Sequence, residues 1–175
     1  MPDAQVDLAA RIRAIPDFPK PGILFRDIMP LLQDPQTLRA AVDRMAEWSV
    51  GRHADVVLGA ESRGFILGSA LAYALNAGFV CARKPGKLPF EVVSESYELE
   101  YGTDALEVHS DAITPGMNVL VHDDLLATGG TAAAKVRLVE KMGGTVVGAT
   151  FLIELADLHG RDKLPGVDVF TLISY

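Results

Sequence analysis

Short runs of apolar, often β-branched residues alternate along the chain with longer segments in which apolar residues recur every three or four positions. The short runs predict strands over residues 56–58, 79–82, 105–108, 119–121, 145–153 and 167–173. The longer segments predict helices over residues 3–13, 35–51, 65–75 and 132–142. Strands that alternate with helices in this way predict an α/β domain with a mainly parallel sheet flanked by helices.

Two segments depart from this alternation. Residues 15–28 contain three prolines and a glycine, which exclude a helix and leave room for a short edge strand over residues 23–25. Residues 88–102 alternate acidic with apolar positions and end at a glycine, a pattern typical of an exposed β-ribbon or a mobile lid.

The strand predicted over residues 119–121 leads into the most informative stretch of the chain. Two acids, Asp123 and Asp124, are followed by small residues at 127–131 and then by a helix. Backbone N–H groups at a helix start lack intrahelical partners and can bind an anion, which Gly129 and Gly130 allow to approach closely. Carboxylates beside a phosphate site can accept hydrogen bonds from sugar hydroxyls, or hold water molecules around Mg²⁺. The stretch therefore predicts a ribose-phosphate site, and it is not a Walker A loop because no Gly-Lys-Ser/Thr closes it.

Two further turns fall at the same edge of the sheet if the strands are parallel. Residues 59–64 repeat the strand–turn–helix arrangement, and Arg63 lies at a helix start, where the dipole slightly disfavours a cation. That placement favours a functional reason for the arginine. Arg83, Lys84 and Lys87 follow the strand at 79–82 and form a local basic cluster that suits a diphosphate, with a solvated turn as the alternative.

The composition narrows the class of protein. The chain has 175 residues, 49% of them hydrophobic, which is enough for one domain with a core of its own. A net charge of −7 argues against general nucleic-acid or anionic-membrane binding. The single cysteine, Cys81, excludes an intrachain disulfide, no apolar run is long enough to span a bilayer, and the N-terminus lacks signal-peptide features. We expect a cytoplasmic protein without nucleic-acid or membrane partners.

The sequence Asp-Asp-Leu-Leu-Ala-Thr-Gly-Gly-Thr at residues 123–131 closely resembles the phosphoribosyl-pyrophosphate (PRPP) motif of type I phosphoribosyltransferases, in the form found in adenine phosphoribosyltransferases. The resemblance implies that Asp123 and Asp124 hold the ribose hydroxyls and take part in catalysis. It also implies that the 5′-phosphate is bound by Ala127, Thr128, Gly129, Gly130 and Thr131.

Two other segments resemble the adenine enzymes specifically. Residues 18–27 are similar to their N-terminal base-binding segment, which implies that adenine is bound by Leu24, Phe25 and Arg26. Residues 97–102 are similar to their flexible catalytic loop, in which a glutamate at the place of Glu100 lies near purine N7 and is proposed to act in proton transfer.

The resemblance also implies that the diphosphate is bound by Glu61, Ser62, Arg63, Arg83, Lys84 and Lys87. In the family, the peptide between the positions of Glu61 and Ser62 adopts an unusual cis form. Two residues depart from the pattern: aspartate is common where Glu61 stands, and an aliphatic residue is usual where His122 stands. The histidine is then either packed against its neighbours at the strand end or a polar group that tunes the two acids.

Together these resemblances imply one type I phosphoribosyltransferase domain over residues 1–175, with an N-terminal base-binding hood at 1–33 and a core at 34–175 that carries a flexible loop at about 88–104. The implied reaction converts adenine and PRPP to AMP and diphosphate in purine salvage. Mg²⁺ is the implied cofactor, held mainly through PRPP and water near the acid pair, and the implied assembly is a homodimer. Two alternatives stay open: transfer to another purine base, or a non-catalytic PRPP-binding regulator, although such regulators usually add a nucleic-acid-binding surface.

Overall fold

The computed structural model of the protein describes residues 6–98 and 102–175. Along these residues the chain forms β1 (Arg13–Pro16), β2 (Leu24–Asp27), α1 (Met29–Gln33), α2 (Pro35–Ser49), β3 (Val56–Ala60), α3 (Arg63–Ala74), β4 (Gly78–Ala82), β5 (Val92–Glu98), β6 (Thr103–His109), β7 (Asn118–Leu126), α4 (Gly130–Lys141), β8 (Thr145–Glu154) and β9 (Val169–Ser174). Short 3₁₀ turns lie at Ala9–Arg11, Val50–Arg52, Ala156–Leu158 and Gly160–Lys163.

The centre of the fold is a five-stranded sheet in the order β4-β3-β7-β8-β9, with every neighbouring pair parallel. Helices α1, α2 and α3 pack on one face, where Val57 and Leu120 contribute to the core. Helix α4 and the β5–β6 ribbon pack on the other face, over Leu58 and Val119. Because both faces are covered, the strands read as continuous apolar runs, and the predicted α/β class with a mainly parallel sheet is confirmed.

Two antiparallel pairs stand outside this sheet. Strands β1 and β2 pair with each other near the N-terminus. Strands β5 and β6 form a seven-residue ribbon, in the part of the chain where the sequence predicts an exposed ribbon or lid. The ribbon is tied to the central sheet because Arg83, just after β4, exchanges two backbone hydrogen bonds with Glu107 of β6, at 2.9 and 2.7 Å.

The helix predicted over residues 3–13 is wrong where the structure describes it. Within residues 6–12 the chain forms only the 3₁₀ turn Ala9–Arg11, and Arg13 and Pro16 lie in β1. The three residues of that turn are exposed, so a helix would gain no burial from Ala9 and Ala10, whereas β1 gains backbone hydrogen bonds from β2. The five-residue helix α1 was not predicted, because it is too short to show a period.

The other elements follow the sequence closely. Helix α2 begins as predicted, with the Asp34 carboxylate accepting the backbone N–H groups of Gln36 at 2.8 Å and Thr37 at 3.2 Å. Strand β7 is longer than predicted and continues to Leu126, so the two acids lie within the strand and not in a turn after it. Within the two described ranges, no helix combines the length and apolar character needed to cross a lipid bilayer.

Candidate active site

A cavity of about 390 Å³ opens at the carboxyl ends of β3 and β7. Helices α3 and α4 both begin beside it, as expected for the switch point of a parallel sheet. Most residues predicted from sequence to bind the ribose phosphate and diphosphate line this cavity, namely Glu61, Ser62, Arg63, Lys84, Asp123, Asp124, Ala127, Thr128, Gly129, Gly130 and Thr131. Residues that were distant in sequence are thereby brought into one pocket.

The remaining predicted residues lie elsewhere. Arg83 and Lys87 are not part of the lining, and both lie near the Glu61 carboxylate, at 3.4 and 3.6 Å. Leu24, Phe25 and Arg26 lie on β2 and are not part of the lining. Glu100, the predicted proton-transfer residue, lies outside the described residues.

The acid pair has fixed partners on both carboxylates. Asp123 Oδ1 accepts the backbone N–H of Asp124 at 3.0 Å, and its Oδ2 accepts a hydrogen bond from Lys135 Nζ at 2.7 Å. Asp124 Oδ2 forms an ion pair with Arg63 Nε at 3.1 Å. Burial and the neighbouring Asp123 charge raise the pKa of Asp124 to about 7, although Arg63 and Lys135 act in the opposite direction. Burial therefore opposes ionisation of one of the two carboxyl groups in the cavity.

The predicted phosphate loop at residues 127–131 leads into helix α4. The first helical hydrogen bond of α4 runs from the Ala133 N–H to the Gly129 carbonyl, so the N–H groups of the preceding turn have no intrahelical partner. Helix α4 carries no acidic residue in its first turn, which leaves the positive end of its dipole free of compensating charge. This helix start can bind an anion.

The two glycines of the loop also serve the packing of the protein itself. Gly129 has φ +81°, and a side chain there would overlap the backbone carbonyl of Gly160. A Cβ on Gly130 would lie 3.2 Å from the carbonyl oxygen of Glu98 on the ribbon. The glycines were predicted to clear space for a phosphate, but the structure adds that each meets another piece of backbone.

Gly160 supports the phosphate loop from behind. It is buried, and a Cβ on it would overlap the Ala127 carbonyl and meet the Leu126 side chain at 3.0 Å. The next residue, Arg161, holds the Glu154 carboxylate at the end of β8 through two hydrogen bonds of 2.7 Å. The 3₁₀ turn at Gly160–Lys163 is therefore anchored to the sheet and fixes the position of the loop.

Glu61 joins the turn before α3 to the basic cluster. Its carboxylate accepts the Lys84 backbone N–H at 2.6 Å and lies 3.4 Å from Arg83 Nη2 and 3.6 Å from Lys87 Nζ. Burial acts to raise the pKa of Glu61, but these hydrogen bonds and cations together hold it below its usual value. The peptide bond between Glu61 and Ser62 is cis, as the resemblance implied.

The ribbon closes one side of the cavity through a second polar cluster. Tyr97 Oη lies 3.4 Å from Lys84 Nζ and donates to Asp104 Oδ2 at 3.3 Å, and Lys84 forms an ion pair with Asp104. Tyr97 also lines the cavity and was not predicted from sequence, since an aromatic residue in a ribbon gives no chemical signal by itself. One predicted diphosphate cation is thus held by the ribbon.

Strand β2 reaches the cavity through Arg63. The Phe25 ring lies 5.2 Å from the Arg63 guanidinium and 5.1 Å from the Phe18 ring, in edge-to-face geometry. The Arg26 guanidinium stacks over the Tyr175 ring at 3.7 Å. Leu24 is 47% exposed, so β2 presents an apolar side chain to solvent next in sequence to the phenylalanine that contacts Arg63.

Sequence reasoning missed Lys135 altogether. Its side chain is completely buried on α4, in line with Leu138 and Val139 on the inner face of the helix. A lysine at a position of an apolar stripe is a signal that was present in the sequence, because only a pairing partner inside the protein accommodates it there.

The structure places His122 in the packing and not in the cavity. It is fully buried, and its Nδ1 lies 3.0 Å from the Thr150 hydroxyl. Burial is the main reason that its pKa falls to about 4, so the imidazole is neutral at physiological pH. Its backbone carbonyl, in contrast, accepts a hydrogen bond from Lys135 Nζ at 2.6 Å.

Comparison with known proteins gives a consistent result. A family model described as the phosphoribosyl transferase domain matches residues 31–173. An adenine phosphoribosyltransferase of Rubrobacter xylanophilus is 62% identical over 166 residues, which are 94% of this chain and 90% of that protein.

Solved structures agree with these matches. The crystal structure of adenine phosphoribosyltransferase from Thermoanaerobacter pseudethanolicus superposes with a TM-score of 0.94 at 50% identity, over 96% of this chain and 98% of that one. The Saccharomyces cerevisiae enzyme, crystallised with an imino-altritol bisphosphate and adenine, gives a TM-score of 0.90 at 41% identity, over 94% and 95% of the two chains.

Proposed function

The chain belongs to the adenine phosphoribosyltransferases of the phosphoribosyl transferase family and has the type I fold, and we propose that its cavity transfers the 5-phosphoribosyl group of PRPP to adenine. The products are AMP and diphosphate. The observation that carries the proposal is the placement of Asp123 and Asp124 between the starts of two helices, in one cavity with the loop at residues 127–131. The transferase domain spans residues 1–175, with 1–33 as base-binding hood and 34–175 as core; the segment at about 88–104, predicted as a flexible loop, includes strand β5 and the start of β6.

The ribose phosphate is held by the β7–α4 half of the cavity. The 5′-phosphate lies in the loop formed by Ala127, Thr128, Gly129, Gly130 and Thr131. There, backbone N–H groups at the start of α4 and the two hydroxyls donate to its oxygens. Asp123 and Asp124 accept the 2′- and 3′-hydroxyls, and their negative charge favours the positive charge that develops on the sugar as the bond to diphosphate breaks.

The diphosphate leaves toward the β3–α3 half of the cavity. Arg63 and Lys84 face the cavity and stabilise the departing negative charge, together with backbone groups of Glu61 and Ser62. The ion pairs from Arg63 to Asp124 and from Lys84 to Asp104 must be exchanged for contacts with the phosphates. Arg83 and Lys87 raise the local positive potential from behind Glu61.

Adenine approaches from the hood. Leu24 and Phe25 offer apolar surface to the ring. Arg26, on the same strand, is held in place by stacking over the Tyr175 ring. Adenine that carries its proton on N7 attacks with the N9 lone pair, and the new bond to the anomeric carbon forms as the carbon–oxygen bond to diphosphate breaks. By the resemblance, the Glu100 carboxylate accepts the N7 proton as the new bond forms.

The donor set suits a magnesium ion bound mainly through substrate. Within the described ranges there is no group of three or more histidine, cysteine or acidic residues that would hold a metal by itself. Mg²⁺ commonly uses one or two carboxylates, water and substrate phosphates, so Asp123 and Asp124 would hold it chiefly through water. When bound, the ion neutralises charge on the diphosphate.

The active form is a cytoplasmic homodimer. Exposed apolar side chains support this proposal, since Ile66 of α3 and Phe90 and Val92 of the ribbon segment are 43%, 56% and 37% exposed, and a second copy would cover such surface.

The first test is product formation from PRPP and Mg²⁺ with adenine, hypoxanthine, guanine and xanthine offered separately. We expect AMP from adenine alone. Turnover of a different base would keep the PRPP site and overturn the assignment of Leu24, Phe25 and Arg26. No turnover of any base, with PRPP still binding in calorimetry, would support the non-catalytic regulator instead.

A further inference from the structure

Lys135 of α4 reaches under the cavity to the acid pair. Its side chain has no exposed surface, and its ammonium group donates to Asp123 Oδ2 at 2.7 Å and to the His122 carbonyl at 2.6 Å. Both acceptors belong to β7, so this lysine joins the helix that follows the phosphate loop to the strand that carries the acids.

The surroundings of the Lys135 stem give no reason for a charge. The adjacent helix positions that are buried are small or aliphatic, and include Ala132, Leu138 and Val139. Removing an ammonium group from water is unfavourable, and replacing a buried ion pair by apolar groups of similar volume is often neutral or stabilising. Packing alone would therefore be served by methionine or leucine, and the charge points to a role at its acceptor.

That acceptor is confined to one orientation. Asp123 Oδ1 accepts the Asp124 N–H, Oδ2 accepts Lys135, and Gly64 packs so closely that a Cβ on it would lie 2.6 Å from Oδ1. The Asp123 side chain retains 13% exposure, at the cavity it lines. Its remaining lone pairs are therefore presented to the cavity in a fixed direction.

We infer that Lys135 is a positioning residue for the transfer reaction: its buried ammonium group orients the Asp123 carboxylate toward the ribose of PRPP and offsets one of the two adjacent negative charges. This inference rests on the proposed function.

The test compares Lys135→Met with Lys141→Met, a lysine on the same helix whose side chain is 55% exposed. Methionine keeps the length of the buried stem and removes the charge. We expect Lys135→Met to raise the KM for PRPP by roughly tenfold or more, since a preorganised hydrogen-bond acceptor is lost, with the KM for adenine within about twofold of wild type. Lys141→Met should leave both constants within about twofold. Unchanged PRPP constants in a folded Lys135→Met variant would overturn the inference.

A double-mutant cycle shows whether Lys135 acts through Asp123. If it does, Asp123→Asn/Lys135→Met binds PRPP no more weakly than Asp123→Asn alone, whereas independent roles would multiply the two losses. The double variant removes both charges, so a further loss of PRPP binding relative to Asp123→Asn would overturn the inference even if Lys135→Met alone leaves Asp123 unpaired and fails to fold. Calorimetric PRPP binding provides the readout without turnover, so an inactive wild type would end the proposed function and leave the role of Lys135 still measurable.

Discussion

The two halves of the predicted substrate site are built in opposite ways. On the PRPP side, Asp124 is 6% exposed and every charged group near it has a protein partner at a defined distance. On the base side, Phe18, Ile23 and Leu24 of the hood are 51%, 45% and 47% exposed. The first half is buried and charged. The second is the antiparallel pair of β1 and β2, with apolar side chains open to solvent.

This difference separates what each half contributes. Buried polar networks hold their geometry before a ligand arrives, so the PRPP half should bind with little rearrangement but at a cost in protein stability. The exposed hood gains its contacts only when a purine ring covers it, so it should determine base affinity while adding little to stability. Changes in the two halves should therefore affect different measurements.

Asp124→Asn should give the largest effect. We expect kcat to fall by roughly 100-fold or more, because the variant loses a negative charge that favours the developing positive charge on the sugar. The same variant should melt a few degrees higher than wild type at pH 8, since ionising a buried carboxyl opposes folding.

The sign of that stability change follows from the pKa of Asp124, about 7 in the folded protein and 3.8 when unperturbed. The unfolded chain loses its proton first, so the destabilisation is absent below the lower value, grows between the two values and is complete above the higher one. The gain in melting temperature should therefore shrink as the pH falls from 8 toward 4. Asp111→Asn, at an exposed position, is the control. A variant that melts well below wild type at pH 8, with a fall in kcat no larger than the loss of folded protein explains, would contradict the assignment of Asp124 to the active site.

Gly160→Ala should give an intermediate effect, and it should change both the stability of the protein and its binding of PRPP. The new methyl group would overlap the Ala127 carbonyl, so the phosphate loop must shift. We expect a loss of about 1–3 kcal/mol in the free energy of unfolding, and a KM for PRPP raised by roughly tenfold.

Gly51→Ala is the matched control for this variant, because a Cβ there meets nothing within 4 Å. It should change neither melting temperature nor the KM for PRPP appreciably. A Gly160→Ala variant that is destabilised but binds PRPP normally would show that the turn at Gly160–Lys163 does not set the geometry of the phosphate loop.

Leu24→Ala should give the smallest effect and act on the other half. Removing apolar surface beside the base should raise the KM for adenine by roughly three- to tenfold, with PRPP binding and melting temperature unchanged. Ile23→Ala removes a similar side chain from the neighbouring position, which is 45% exposed, and should leave adenine affinity within about twofold. Weaker PRPP binding in Leu24→Ala would remove the distinction between the halves.

The elements of the core were predictable because burial leaves a strong pattern. Strand β3 is buried at all five positions, and its apolar run allows no other assignment between two helical patterns. Residues 3–13 were assigned to a helix because their composition favours one, but the described part of that range forms a single 3₁₀ turn, and pairing with β2 begins at Arg13. Strand β7 was predicted too short because the acids look like turn residues unless the pairing of Asp123 with Phe151 on β8 is known.

The predicted site residues came together to different degrees for similar reasons. Residues in the strand–turn–helix segments reached one cavity, because parallel strands bring their carboxyl ends to one edge. Arg83 and Lys87 belong to the same basic run as Lys84 but face Glu61, a distinction that depends on tertiary contacts. Lys135 was missed because a lysine in a helix is usually solvated, and its partner on β7 is twelve residues earlier.

The contact of Gly129 with Gly160 has a consequence for how this loop can vary. Two main chains meet there without side chains between them, so no rotamer is available to absorb a change in their separation. A single substitution at either position therefore cannot adjust the separation of the two main chains by a small amount. A redesign that aims at a larger anion would have to move the turn at Gly160–Lys163 and the phosphate loop together, as one unit.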